Sequence, residues 1–391
     1  MEKQYKHGYL LTAILVATVC LRAPITALGP VAASIRETAA LPSVLLGLMT
    51  TIPLVMFAVT SPFISRFSRR VGAGNAMLIG LMVMAAGLLM RSFAGGFGLF
   101  FGTVLLGAGI SVGNVLIPGV LKAEFPGKLG MVTGAFTVCM SCFAAISAAI
   151  SYPLSQQPGL DWRHSLAVWT IPTVVAMAFW VCLRKGDYCV KTPVTPVGVP
   201  RRSVFRSSTA WWLTVMMGAQ ALMFYLLTAW LPTILQERGM SPENAGYVAF
   251  GYQLMTMPAS FLIPGVAAKR RDQRGLTAIL SVVYGLSLLA FTFARSTAAM
   301  TLSALACGFS TGACFSLCML LIGLRASDAE RAVELSGMVQ SLGYGVAAVG
   351  PAFAGLLFDQ VGSWTIPLLS MLALAFLIFL SGRKAGEDTF V

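Results

Sequence analysis

Charge is scarce in this chain. Of its 391 residues only 10% are Asp, Glu, Lys or Arg, and 57% are hydrophobic, whereas an ordinary soluble domain carries about 25% charged residues. A water-soluble body is therefore excluded for most of the chain. Acids are the scarcest. None of the 14 carboxylates falls at the centre of an apolar run, which argues against a cationic cargo needing a midplane acid. Glu124 and Glu334 stand only at the ends of such runs. There are two histidines, His7 and His164, both at run edges, and no cluster of His, Cys, Asp or Glu at membrane depth. An enzyme therefore has no catalytic set to build on. The phosphate-binding pattern Gly-x-x-x-x-Gly-Lys-Ser/Thr is also missing, so nothing supports an ATP-driven pump. No cofactor and no metal are implied.

The eight cysteines lie mostly inside apolar runs. Cys139-x-x-Cys142 shares only its spacing with redox and metal pairs. With no His or carboxylate nearby it reads as small-residue packing, as do Cys307, Cys314 and Cys318. The net charge of +13 comes from basic residues spread between apolar runs, not from a basic helix, so nucleic acid is not the expected partner.

What the chain does have is length in apolar helix. Twelve spans fit, at about 8–30, 43–65, 75–92, 97–121, 130–153, 164–183, 209–231, 245–266, 275–294, 297–323, 333–357 and 364–382. Each is long enough for a hydrocarbon core ~30 Å thick. Lys and Arg divide 21 to five between the two sides of these spans, Arg91 and Arg238 being among the five. That excess predicts both termini in the cytoplasm. The N-terminal run superficially resembles a signal peptide, but Arg22 interrupts it, and it is read as the first span.

The chain also repeats. Pro30 and Pro232 are 202 apart, as are Arg36 and Arg238, Pro62 and Pro264, and Arg69 and Arg271; Gly130-Met131-Val132 recurs as Gly337-Met338-Val339. The ordered series predicts a duplicated six-span unit. The expected organisation is a six-helix bundle at 1–185, a basic, Pro-rich cytoplasmic linker at 186–207 and a second six-helix bundle at 208–391. The fold class is all-α: a membrane protein of twelve transmembrane helices in two pseudo-symmetric bundles.

The most informative stretch is 18–30, TVCLRAPITALGP, with Arg22 inside an apolar run. A helix from Gly8 puts Arg22 ~20 Å along its axis. Insertion of an arginine at such depth costs at least ~2.5–3.5 kcal/mol, so it is expected to face protein or a watery cavity. Thr18, Arg22 and Thr26 share one face at i, i+4, i+8.

Two six-span halves with a basic central loop resemble a major facilitator superfamily transporter over the whole chain. The loop SRFSRRVGAGN, 65–75, resembles that superfamily's Gly-x-x-x-Asp-Arg-x-Gly-Arg element: Arg70 and Gly72 match, while Arg69 stands where Asp is usual. Thr103 occupies the place of an Arg that many proton-coupled members carry in the fourth span. The segments Leu21-Arg22, GNVLIPGVLKAEFP, AWLPTIL, DQRG, IGLRAS and SGMVQSLGY resemble the cyanate permease group, which includes a nitroimidazole exporter.

The resemblance implies alternating access, a substrate site between the halves near the midplane, and residence in a bacterial cytoplasmic membrane. It implies substrate contacts from Arg22, Thr26, Asn114, Tyr225, Gln253, Gln340 and Tyr344. Arg70, Gly72, Asp272 and Arg274 are the implied gating residues. A guanidinium fork suits a small anion or a planar electron-rich ligand; cyanate, nitrate-like anions, small carboxylates and nitro-heterocycles all qualify.

Alternatives stay open. Arg22 could be a structural cation, and buried amides serve as interhelical glue. The chain could be an exporter of nitroimidazole-type antimicrobials, or a receptor that transports nothing. Proton coupling could run through the substrate or through Glu124 or Glu334. The expected partners are a small-molecule substrate and the lipid bilayer, with the monomer as working unit.

Overall fold

In a hydrocarbon slab every backbone N–H and C=O must be satisfied within the chain, which leaves helices as the natural product of twelve apolar runs. A computed structural model describes residues 2–39, 43–185 and 203–391, and all their regular structure is helical. Most of the expected linker, 186–202, lies outside the described residues, together with Cys189, Lys191, Arg201 and Arg202.

The α-helices are α1 (Glu2–Thr26), α2 (Leu28–Ala39), α3 (Ser43–Val71), α4 (Ala73–Phe93), α5 (Gly95–Glu124), α6 (Leu129–Ser155), the short α7 (Trp162–Ala167) and α8 (Thr170–Lys185). Then follow α9 (Ser208–Glu237), α10 (Pro242–Ala267), α11 (Arg274–Phe293), α12 (Thr297–Arg325), α13 (Ala329–Val361) and α14 (Thr365–Ala385). Among the described residues eleven spans are long and apolar enough to cross a membrane. The remaining expected span is α10. Its 26 residues have the length, but Gln253, Thr256, Pro258 and Pro264 dilute its hydropathy.

Two expected spans are each made of two helices. The first breaks at Ala27, just after Pro24, which has no N–H to donate to the carbonyl four residues before it. Gly29 and Pro30 then open α2, where a proline is tolerated in the first turn. The sixth breaks between Ala167 and Thr170, ahead of Pro172 for the same reason. Asp161 caps α7, its Oδ1 accepting the backbone N–H of Arg163 and His164 at 2.9 and 3.3 Å. Burial pushes the Asp161 carboxyl up, but the bonds from Arg163 and His164 outweigh it and hold the group below its ordinary range.

By compactness the chain forms two units. One comprises Met1–Gly127, Cys139–Arg201 and Asp328–Gly337; the other comprises Lys128–Val138, Arg202–Ser327 and Met338–Val391. Packing thus follows chain order except at two helix ends. The start of α13 packs in the first unit, where a Cβ on Gly119 would lie 2.4 Å from Val333. The start of α6 packs in the second, where the Thr137 hydroxyl donates to Ser260 O at 3.1 Å.

Without a hydrophobic drive between helices in lipid, close packing comes from small residues. In the first unit a Cβ on Gly102 would fall 2.3 Å from the Arg91 backbone N, so α4 and α5 cross backbone against backbone. In the second, Cβ atoms on Gly308 and Gly312 would fall 2.2 and 2.3 Å from Tyr252 O and Thr256 O on α10. Beside that crossing Thr311 Oγ1 bonds both the Tyr252 and Tyr284 hydroxyls, at 3.2 and 2.7 Å, so two fully buried tyrosines are satisfied together.

Candidate functional site

In the first unit Arg22 is half-buried on α1. Its neighbour Leu21 packs on Gly113, whose Cβ would meet Leu21 Cδ2 at 2.5 Å. Asn114, 7% exposed, follows Gly113, so Arg22 and Asn114 flank the same α1–α5 contact. Ser336 at the start of α13 donates to Asn114 O at 3.5 Å. The other two residues of the Arg22 stripe are engaged elsewhere. Thr18 is fully buried and donates to Ile14 O at 2.7 Å. Thr26 lies 3.0 Å from Ala144 O and 2.6 Å from Ser147 Oγ, which joins α1 to α6. A shared helical face in sequence therefore does not amount to a shared cavity face here, because α6 covers part of it.

In the second unit α9, α10 and α13 bring most of the expected aromatic and amide residues together. Tyr225 and Tyr344 meet edge to face with ring centroids 6.3 Å apart. Gln253 Nε2 donates to Thr228 Oγ1 at 3.5 Å. Gln340 is 1% and Tyr344 5% exposed. Gln220, on α9, is also buried, and its Oε1 has no hydrogen-bond partner among the described residues. Trp230 is a packing residue: its indole N–H donates to Pro351 O at 2.8 Å and its ring lies against Trp364.

The loop element resembling a gate has a local explanation of its own. Gly72 joins α3 to α4 with φ +84°, a conformation that other residues adopt at a cost. Arg70 is exposed. Arg69, the residue in the place of the usual Asp, makes the ion pairs instead: Nη1 lies 3.1 Å from Glu330 and 2.6 Å from Glu334 on α13. Arg331 closes on the same Glu334 at 3.0 Å. In the second unit Asp272 accepts the Arg274 backbone N–H and its Nε–H, both at 2.8 Å. These bonds hold the Asp272 carboxyl below its ordinary range.

Three basic residues counted as loop charges from sequence turn out to be engaged with helices. Arg91 is in the last turn of α4, 1% exposed. Arg238 donates to Phe291 O at 2.6 Å. Arg325 is 2% exposed and clamps the end of the chain, donating to Ala385 O, Gly386 O, the Asp388 carboxylate and Gln273 Oε1. An arginine one turn inside an apolar run looks interfacial in sequence, and nothing there distinguishes a buried one.

The chain is 34% identical over 379 residues to the 2-nitroimidazole transporter of Escherichia coli, covering 97% of this chain and 95% of that one. It is 27% identical over 358 residues to the cyanate transport protein CynX of the same organism, covering 91% of each. The fold matches the solved proton:xylose symporter XylE with a TM-score of 0.82 over 99% of this chain and 98% of that one, at 10% identity. The model of the Major Facilitator Superfamily matches residues 14–347 and 219–385. This chain belongs to the Major Facilitator Superfamily and is a multi-pass membrane transporter.

Proposed function

We propose that this transporter is a secondary active carrier of a small anion or a planar electron-rich compound, working by alternating access. Arg22 is the residue that fixes the negative end of the cargo. The observation that carries the reading is a guanidinium, half-buried on a membrane span, beside the α1–α5 contact and Asn114. Thr26, Tyr225, Gln253, Gln340 and Tyr344 complete the proposed substrate contacts, and Arg70, Gly72, Asp272 and Arg274 the proposed gate. Residues 1–185 and 208–391 are the proposed six-span halves. A bacterial inner membrane with both termini in the cytoplasm is the proposed setting.

The 2-nitroimidazole transporter among the relatives supports a second reading, export of nitroimidazole-type compounds. A nitro group offers two oxygens to a guanidinium fork much as a carboxylate does. The test is a thermal-unfolding panel on purified protein with cyanate, nitrate, small carboxylates and nitroimidazoles, comparing wild type with Arg22→Gln. At a hundredfold excess over Kd a ligand adds about 2.7 kcal/mol of stability. One compound stabilising wild type but not the variant is the expected result. Equal shifts in both would remove Arg22 from the site. Counterflow in liposomes and drug susceptibility of cells overproducing the protein then separate a carrier from a receptor and import from export.

A further inference from the structure

The first unit holds a second arginine that the transport reading does not use. Arg91, 1% exposed, donates through Nη1 to Pro24 O at 3.0 Å, one of the carbonyls that the end of α1 leaves open. Its Nε and Nη2 have no hydrogen-bond partner among the described residues, and neither has the hydroxyl of the next residue, Ser92. No described carboxylate forms an ion pair with it.

The same chain shows what a buried arginine requires. Arg325, equally buried, has two carbonyls, an amide oxygen and a carboxylate, and Arg331 has Glu334. Arginine does not deprotonate in proteins, and a buried charge left without its counter-charge is strongly destabilising. One neutral carbonyl answers one donor of Arg91 and none of its charge. The three remaining groups are an N–H, an NH2 and a hydroxyl, all able to donate toward an anion.

We propose that Arg91 is the cation of a second anion site within the first unit, separate from Arg22, taking a halide or an anion of similar size. Nε and Nη2 hold it, with the Ser92 hydroxyl as the adjoining donor. The occupant is small because the guanidinium is enclosed, Arg91 being 1% exposed. By neutralising Arg91 the anion secures the end of α1, the helix that carries Arg22.

The test compares thermal unfolding of the purified full chain in sodium gluconate, chloride and bromide at equal ionic strength. Wild type and Arg22→Gln are expected to gain at least about 3 °C in the halides at saturation, and Arg91→Met to lose that gain. Methionine fills similar length and needs no counter-ion. A halide gain that persists in Arg91→Met, or none in wild type, overturns the proposal. If Arg91→Met does not fold, anomalous scattering from wild-type crystals grown in bromide decides. A bromide against the Arg91 guanidinium sustains the site, and no bromide there overturns it. Retention of the gain in Arg22→Gln separates this site from the transport site.

Discussion

Gly312 sets how near α10 and α12 come to each other. A methyl group there would sit 2.3 Å from Thr256 O, whereas one at Gly74 would meet nothing within 4 Å. Gly312→Ala is therefore expected to cost about 1–3 kcal/mol, the range for overpacking. Gly74→Ala is expected to be neutral or to stabilise by up to about 1 kcal/mol through helix propensity; thermal unfolding of the two variants side by side checks both. The Arg325 clamp gives a second contrast. Gln273→Leu leaves a buried guanidinium N–H unmet and is expected to cost about 1–3 kcal/mol. Asp388, 53% exposed, contributes through a water-screened pair, so Asp388→Asn is expected to cost under about 1 kcal/mol. The partial burial of Arg22 was legible at this scale because a charge in the middle of an apolar run has few places to go. Arg91 and Arg325 were not, because their burial depends on which neighbouring helix covers a run's end.

Between elements, the pairing of α3 with the start of α13 replaces the acid of the family's loop element by its opposite. Arg69 meets Glu330 and Glu334, where the resemblance led one to look for Asp. Arg69 is 41% exposed, so Arg69→Ala is expected to change global stability by less than about 1 kcal/mol. Its effect is expected in transport rate. Arg69→Glu, which sets three acids together, is expected to slow transport more than Arg69→Ala, and Arg69→Glu with Glu334→Arg to restore much of it. Proteoliposome flux checks this, and a double variant no faster than Arg69→Glu would mean that the pair does not matter to the cycle. The first expected span was read as one helix, and it breaks between α1 and α2, where Pro24, Gly29 and Pro30 stand. The engagement of Thr26 with Ala144 and Ser147 was not, because helical periodicity gives a residue's direction but not what stands in that direction.

For the whole molecule, the excess of basic residues on one side is a statement about insertion, and it can be tested directly. Green fluorescent protein fused after Val391 is expected to fluoresce, and alkaline phosphatase placed at Gly159 to be active. An inactive phosphatase at Gly159 with an active one after Val391 would invert the topology.

The helical class, the membrane-spanning character and the superfamily were legible in the sequence. Hydropathy over ~20 residues is a property of the chain that no tertiary contact alters. The tertiary structure decided which polar groups are already engaged. It gave the Thr18 and Thr26 hydroxyls to their own helix and to α6, and, among the described residues, a counter-charge to Arg325 but not to Arg91. It also tied Glu330 and Glu334 to an arginine 261 and 265 residues away. Hydrogen bonds and ion pairs act over about 3 Å, and only folding brings such distant residues to that range.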